Sequence, residues 1–116
     1  MLDQIPDEMF QPEPTFLEPC VGEGAFIIPL LERKFKNCKK RKDYTIALES
    51  VYGMEIQADN VKICIDNILK LCDNYFRPTK KEREIINNHI IQADSLKVMQ
   101  MINDMITRGD ANENIG

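Results

Sequence analysis

At 116 residues the chain has room for one domain, a small one for an α/β fold. Its composition, 43% hydrophobic and 29% charged, is that of an ordinary soluble globular protein, and a net charge of −4 argues against a surface that grips nucleic acid throughout. No apolar run approaches the roughly 18 residues of a membrane span, and Met1-Leu2-Asp3-Gln4 has neither the basic nor the apolar part of a signal peptide, so the expected location is cytoplasmic with no membrane partner.

Residues 1–14 read as the tail of a helix (Met1-Leu2-Asp3) and an irregular linker containing Pro6, Pro12 and Pro14. Thr15 to Glu18 reads as a short buried strand ending in an acid. The turn that follows, Pro19-Cys20-Val21-Gly22-Glu23-Gly24, has two residues without a Cβ, so a small ligand can approach the main chain. A helix is expected from Ala25 to about Lys36, with Pro29 tolerable only near its first turn. Ile27 stands where a dinucleotide fingerprint needs its third glycine, which disfavours a dinucleotide-dependent reductase.

Arg33, Lys34, Lys36, Lys39, Lys40, Arg41 and Lys42 form a basic run. Its expected role is a solvated helix end whose cations complement the helix dipole, in preference to a phosphate-contacting patch. With Asp43 it reads as a loop. Ile46 to Ser50 then extends or approaches a second strand, whose core is Ser50 to Glu55. Val61, Ile65, Ile68, Cys72 and Phe76 recur at helical spacing until Arg77-Pro78. A polar stretch with Lys80, Lys81 and Arg83 leads to a third strand, His89 to Ala93. Asp94 or Ser95 caps a last helix whose Leu96, Val98, Met99, Ile102 and Ile106 suit packing on a sheet. Met99, Met101 and Met105 read as core or interface, and residues 109–116 as a flexible tail.

The four cysteines form no C-x-x-C pair and the single histidine, His89, has no partner at metal-ligand spacing, so no metal site is expected. Cys64 and Cys72 fall on an apolar helical face and read as small core residues. Cys20 reads as a reduced loop cysteine.

Strands alternating with helices imply right-handed crossovers and a three-stranded parallel sheet with flanking helices. Ligands of such sheets bind beyond the carboxyl ends of the strands. Glu18, Glu55 and Asp94 all fall at those ends and should converge there.

The pattern E-P-x-x-G-x-G-x-F (Glu18, Pro19, Gly22, Gly24, Phe26) is followed by Glu55-Ile56 and then by Asp94-Ser95, each after an apolar run. In this order, across residues 16–96, the motifs resemble the first three of S-adenosylmethionine-dependent methyltransferases, in the form used by adenine-specific DNA methyltransferases. The resemblance implies a partial Rossmann-like domain over residues 15–108 with S-adenosylmethionine as cofactor. It gives Glu55 the ribose hydroxyls, Ile56 the adenine face, Asp94 with the adjacent Ser95 backbone the adenine amine, and Glu18 with the glycine loop the methionine part. DNA is the implied substrate of the complete enzyme. That family's Pro-Pro-aromatic motif has no counterpart, since no two prolines are adjacent and the last is Pro78. No catalytic residue is therefore assigned, and these residues alone are expected to be inactive. The alternative is a non-catalytic methyltransferase-like module that needs a partner chain. Either way the edge at Phe16 and the helix carrying Met99 to Met105 are expected near a self-association or partner contact.

Overall fold

Three strands, β1 (Phe16–Glu18), β2 (Val51–Glu55) and β3 (Ile90–Gln92), run parallel in the order β1-β2-β3 in a computed structural model that describes residues 4–115, with side chains through Arg108. Met1-Leu2-Asp3, read above as a helix end, lie outside the described residues. Phe16, Leu17 and Glu18 pair with Val51, Tyr52 and Gly53, and Gly53, Met54 and Glu55 pair with Ile90, Ile91 and Gln92. The helices are α1 (Ile27–Lys36), α2 (Arg41–Glu49), α3 (Ala58–Asp73), α4 (Lys80–His89) and α5 (Ser95–Ile115), and a 3-10 turn at Asp7–Phe10 precedes β1. The chain is thus α/β, a three-stranded parallel sheet with flanking helices.

Strand alternation divides the sheet into two unequal faces. Val51, Gly53 and Ile90 face a core built from Ile27, Leu30, Leu31 and Phe35 of α1, Ala47 and Leu48 of α2, Cys64, Ile68, Leu71 and Cys72 of α3, and Ile86 of α4. Burial of that face supplies the main driving force for the fold. It also pushes the Cys64 thiol up to about 11 and the Cys72 thiol up to about 12, leaving both as inert packing groups. Leu17, Tyr52 and Ile91 point to the opposite face and remain 61%, 41% and 44% exposed.

The expected elements around the sheet need several corrections. The segment read as a loop and strand approach is helix α2. Asp43 accepts hydrogen bonds from the Lys39 and Lys40 N–H groups at 2.9 and 3.0 Å and so caps its start, while Tyr44 stacks on Phe76 at 4.7 Å and packs edge-on against Phe35. The polar stretch before β3 is helix α4, opened by a capping box in which Glu82 accepts from the Thr79 N–H and hydroxyl at 3.1 and 2.9 Å. Helix α3 ends at Asp73. Tyr75 and Phe76 lie beyond it and join the aromatic cluster around Phe35.

Lys34, expected in a solvated helix end, is fully buried. It shares the core stripe of α1 with Ile27, Leu30 and Leu31, because 27, 30, 31 and 34 fall on one helical face. Its ammonium donates to the carbonyls of Gln11, Pro12 and Pro14 and to Ser50 Oγ at 2.6–3.3 Å. The proline-containing segment expected as a linker is therefore clamped to α1, helped by a bond from Asn37 to the Phe10 carbonyl. Burial pushes Lys34 down to about 8, with Glu13 opposing.

Helix α5 departs most from expectation. Its apolar residues were to pack on the sheet, yet Leu96 is 78% exposed and Met99, Met101, Ile102, Met105 and Ile106 are all exposed. The helical backbone runs on to Ile115, past the Gly109 at which a tail was expected to begin; the side chains from Gly109 onward lie outside the described residues.

Candidate functional site

Val21 opens the loop between β1 and α1. Its N–H donates to the Met54 carbonyl at 3.0 Å, and Gly24 N–H closes a tight turn onto the Val21 carbonyl at 2.8 Å. Gly22 and Gly24 have φ of +53° and +108°, the left-handed region in which a Cβ is strained. The two glycines of the motif are thus required by the backbone itself. The loop lies close to β2: a Cβ built on Gly53 would stand 2.2 Å from Val21 Cγ1. Glycine inside a strand marks such a close approach. That signal was present in the sequence, although Gly53 was not among the expected site residues.

Glu55, at the end of β2, is the centre of the arrangement. One carboxylate oxygen accepts from Gly22 N–H at 3.1 Å and lies 4.0 Å from Cys20 Sγ, and the other accepts from Gln57 N–H at 2.8 Å. The residue is 4% exposed. The Gln57 N–H holds the carboxyl below the usual carboxylate range in spite of desolvation, and the Gly22 N–H adds to the effect. Glu55 is therefore anionic at neutral pH and already turned toward the glycine loop.

The flanking acids stand at the ends of the neighbouring strands. Glu18, half-buried, accepts from the Cys20 N–H at 3.1 Å. Asp94 accepts from the Leu96 and Lys97 N–H groups at 3.0 and 3.4 Å and so caps α5. Ala93 N–H donates to the Glu55 carbonyl at 2.9 Å and Gln92 Nε2 to the Ile56 carbonyl at 3.1 Å, which carries the β2–β3 pairing out to the strand ends. Ile56 presents an apolar surface that is 59% exposed. Pro19 is exposed, while Phe26 just before α1 and Ser95 at the start of α5 are half-buried.

The sheet thus gathers the expected residues along one edge, but in different states. Glu55 and the glycine loop are in direct contact, whereas Glu18 and Asp94 bond local backbone. A groove of about 580 Å³ between the start of α1 and α3 is lined by Gly24, Ile28, Asn67 and Lys70, among others, and by none of the three acids. Asn67 ties the outer side of the loop to α3 by donating to the Glu23 carbonyl at 2.9 Å. Among the described residues no cluster of His, Cys, Asp or Glu could hold a metal ion, and no helix is long and apolar enough to cross a membrane.

No family model, curated protein or solved structure matches this chain.

Proposed function

We propose that the carboxyl edge of the sheet binds S-adenosylmethionine and that the chain is the cofactor-binding part of an adenine-specific DNA methyltransferase, with a Rossmann-like fold. The observation that carries this reading is the Glu55 carboxylate at the end of β2, bonded to Gly22 N–H of the loop that follows β1. A strand-end acid beside a left-handed glycine loop is the arrangement a nucleoside with a charged tail requires.

The residues fit the chemistry of that cofactor. Glu55 is an anionic acceptor for ribose hydroxyls, Ile56 offers an exposed apolar surface to a purine ring, and Glu18 and the glycine loop suit an ammonium and carboxylate. Under this reading Asp94, beside the Ser95 backbone, takes the exocyclic amine. When bound, the cofactor supplies a methyl group on a sulfonium. The chain's own residues bind and orient it. A base acted on by such chemistry has to be extruded into a pocket, and no residue of this sequence is assigned to hold one. The 116 residues alone are therefore proposed to transfer no methyl group to DNA. The exposed sheet face favours a second reading, a non-catalytic methyltransferase-like module completed by a partner chain.

Titration calorimetry of S-adenosylmethionine into the full chain tests the proposal. Saturable binding is expected, weakened about tenfold or more by Glu55→Gln, the scale of a lost hydrogen bond to a charged group. Ile56→Ser, at an exposed position, should weaken it several-fold with the fold intact. No binding at millimolar cofactor, or binding indifferent to both substitutions, would refute it.

A further inference from the structure

The molecule carries two exposed apolar surfaces among the described residues. One is the outer face of the sheet, where Leu17 stands beside Tyr52, and Ile91 one step further along beside the buried Met54, with His89 stacked on Tyr52 at 4.2 Å. The other is a stripe along α5. Met99, Ile102, Met105 and Ile106 recur at spacings of three and four on one side of that helix, with Leu96 flanking them, while Lys97, Gln100, Asp104 and Arg108 occupy the other side. We propose that the chain forms a two-fold dimer in which each copy lays α5 across the outer sheet face of the other.

Two observations favour a second copy as the occupant. The two surfaces together expose on the order of 800 Å² of apolar area per protomer, the share each partner buries in a standard interface. The helix also projects from the body. The longest extent of the molecule is 54 Å against 32 and 30 Å, and its radius of gyration of 16.4 Å exceeds the roughly 13 Å expected for this length. Exchange keeps the Ala93–Glu55 bond and the Asp94 cap as they stand. It closes under two-fold symmetry because each copy supplies one helix and one sheet face.

The test is sedimentation velocity on the full chain at tens of micromolar, with Leu17→Glu for the sheet and Ile102→Glu for the helix. Both positions are exposed, so far-ultraviolet circular dichroism should show an unchanged fold. A wild-type dimer is expected, with each variant dissociating at least tenfold more readily. An equimolar mixture of the two variants should dimerise at a concentration where neither does alone, because one of its two sheet–helix contacts is wild type. A monomeric wild type overturns the proposal. If the α5 amides of that monomer are protected from hydrogen exchange, the helix has closed onto its own sheet instead. A dimer indifferent to both substitutions also overturns it and points to another surface, such as the β1 edge. So does a mixture that behaves as its separate components.

Discussion

Replacing Gly53 with alanine should destabilise the protein and disturb the ligand loop in one step. Gly53 is central in the sheet, paired with Glu18 on one side and Ile90 on the other. The new Cβ would lie 2.2 Å from Val21 Cγ1, 2.9 Å from Ile27 Cδ1 and 3.2 Å from Ile90 Cδ1, where ordinary contact starts near 3.4 Å. Val21 must therefore retreat by about 1.2 Å, the difference between 3.4 and 2.2 Å. A β-branched side chain has few rotamers with which to do so, and the Val21 N–H is tied to Met54. Overpacking of this kind costs about 1–3 kcal/mol, and the closeness of the first contact points to the upper end. Urea unfolding followed by circular dichroism measures the loss, which should shift the midpoint at an unchanged slope. Val21→Ala removes the clashing methyl, so the double variant should recover at least about 1 kcal/mol relative to the sum of the single losses. Gly22, one residue on, should lose amide exchange protection in Gly53→Ala. Wild-type stability in that variant, or losses that simply add, would refute the account.

Lys34→Met fills the same volume but leaves the carbonyls of Gln11, Pro12 and Pro14 without their donor. It should cost about 1–3 kcal/mol and expose the segment before β1 to limited proteolysis; an uncleaved segment at wild-type stability would contradict the clamp. The pH dependence has a definite sign. With Lys34 lowered from 10.5 to about 8, the native state holds fewer protons than the unfolded state between those values, so this group adds stability as pH rises through the window and loses it as pH falls back through 8. Wild-type stability minus that of Lys34→Met should rise across that window when Cys38, raised to about 11 and held down in part by the Lys34 charge, is serine in both proteins; the falls caused by the buried Cys64 and Cys72 thiols cancel in this difference. Glu82 is buried yet held below the usual carboxylate range, because hydrogen bonds from Arg41 and Thr79 outweigh its desolvation. Glu82→Gln should cost about 1–3 kcal/mol at neutral pH, a penalty that shrinks as pH falls through the folded carboxyl's own titration. An equal penalty at pH 7 and in acid would show that charge plays no part.

The features legible in the sequence are those set by neighbours along the chain. Gly22 and Gly24 announce a left-handed turn, Val61 to Cys72 announce a helix by their spacing, and the acids at the ends of the apolar runs mark the edge where they stand. Two misreadings were also avoidable on local grounds. Thr79-x-x-Glu82 is a capping box that announces α4, and Ile27, Leu30, Leu31 and Lys34 share a phase that sends the lysine inward. Helix α2 is different. Its place depends on Tyr44 meeting Phe35 and Phe76, and on Arg41 reaching across to bond Glu82, and neither partner is near in sequence. The exposure of α5 is likewise not local. Its amphipathic pattern correctly announces an apolar face, but whether that face is covered depends on what other layer is present.

Under the proposed reading, Glu55 both holds the glycine loop and accepts the ligand, and these roles need not conflict. A carboxylate offers about four lone-pair sites. The N–H groups of Gly22 and Gln57 approach to 3.1 and 2.8 Å, and the Asn60 side chain and Ile56 N–H also support the charge, whereas the Cys20 thiol approaches only to 4.0 Å. A thiol is a weak donor, so an arriving hydroxyl displaces the Cys20 thiol first and leaves the Gly22 and Gln57 bonds intact. Cys20 is exposed and can swing aside, whereas Val21 is pinned by Met54 and packed against Gly53. Under this reading the group that moves aside is the Cys20 thiol and not the glycines. The energy lost is that of one weak contact, while the bond between strand end and loop, which orients the acceptor, is already made before the ligand arrives.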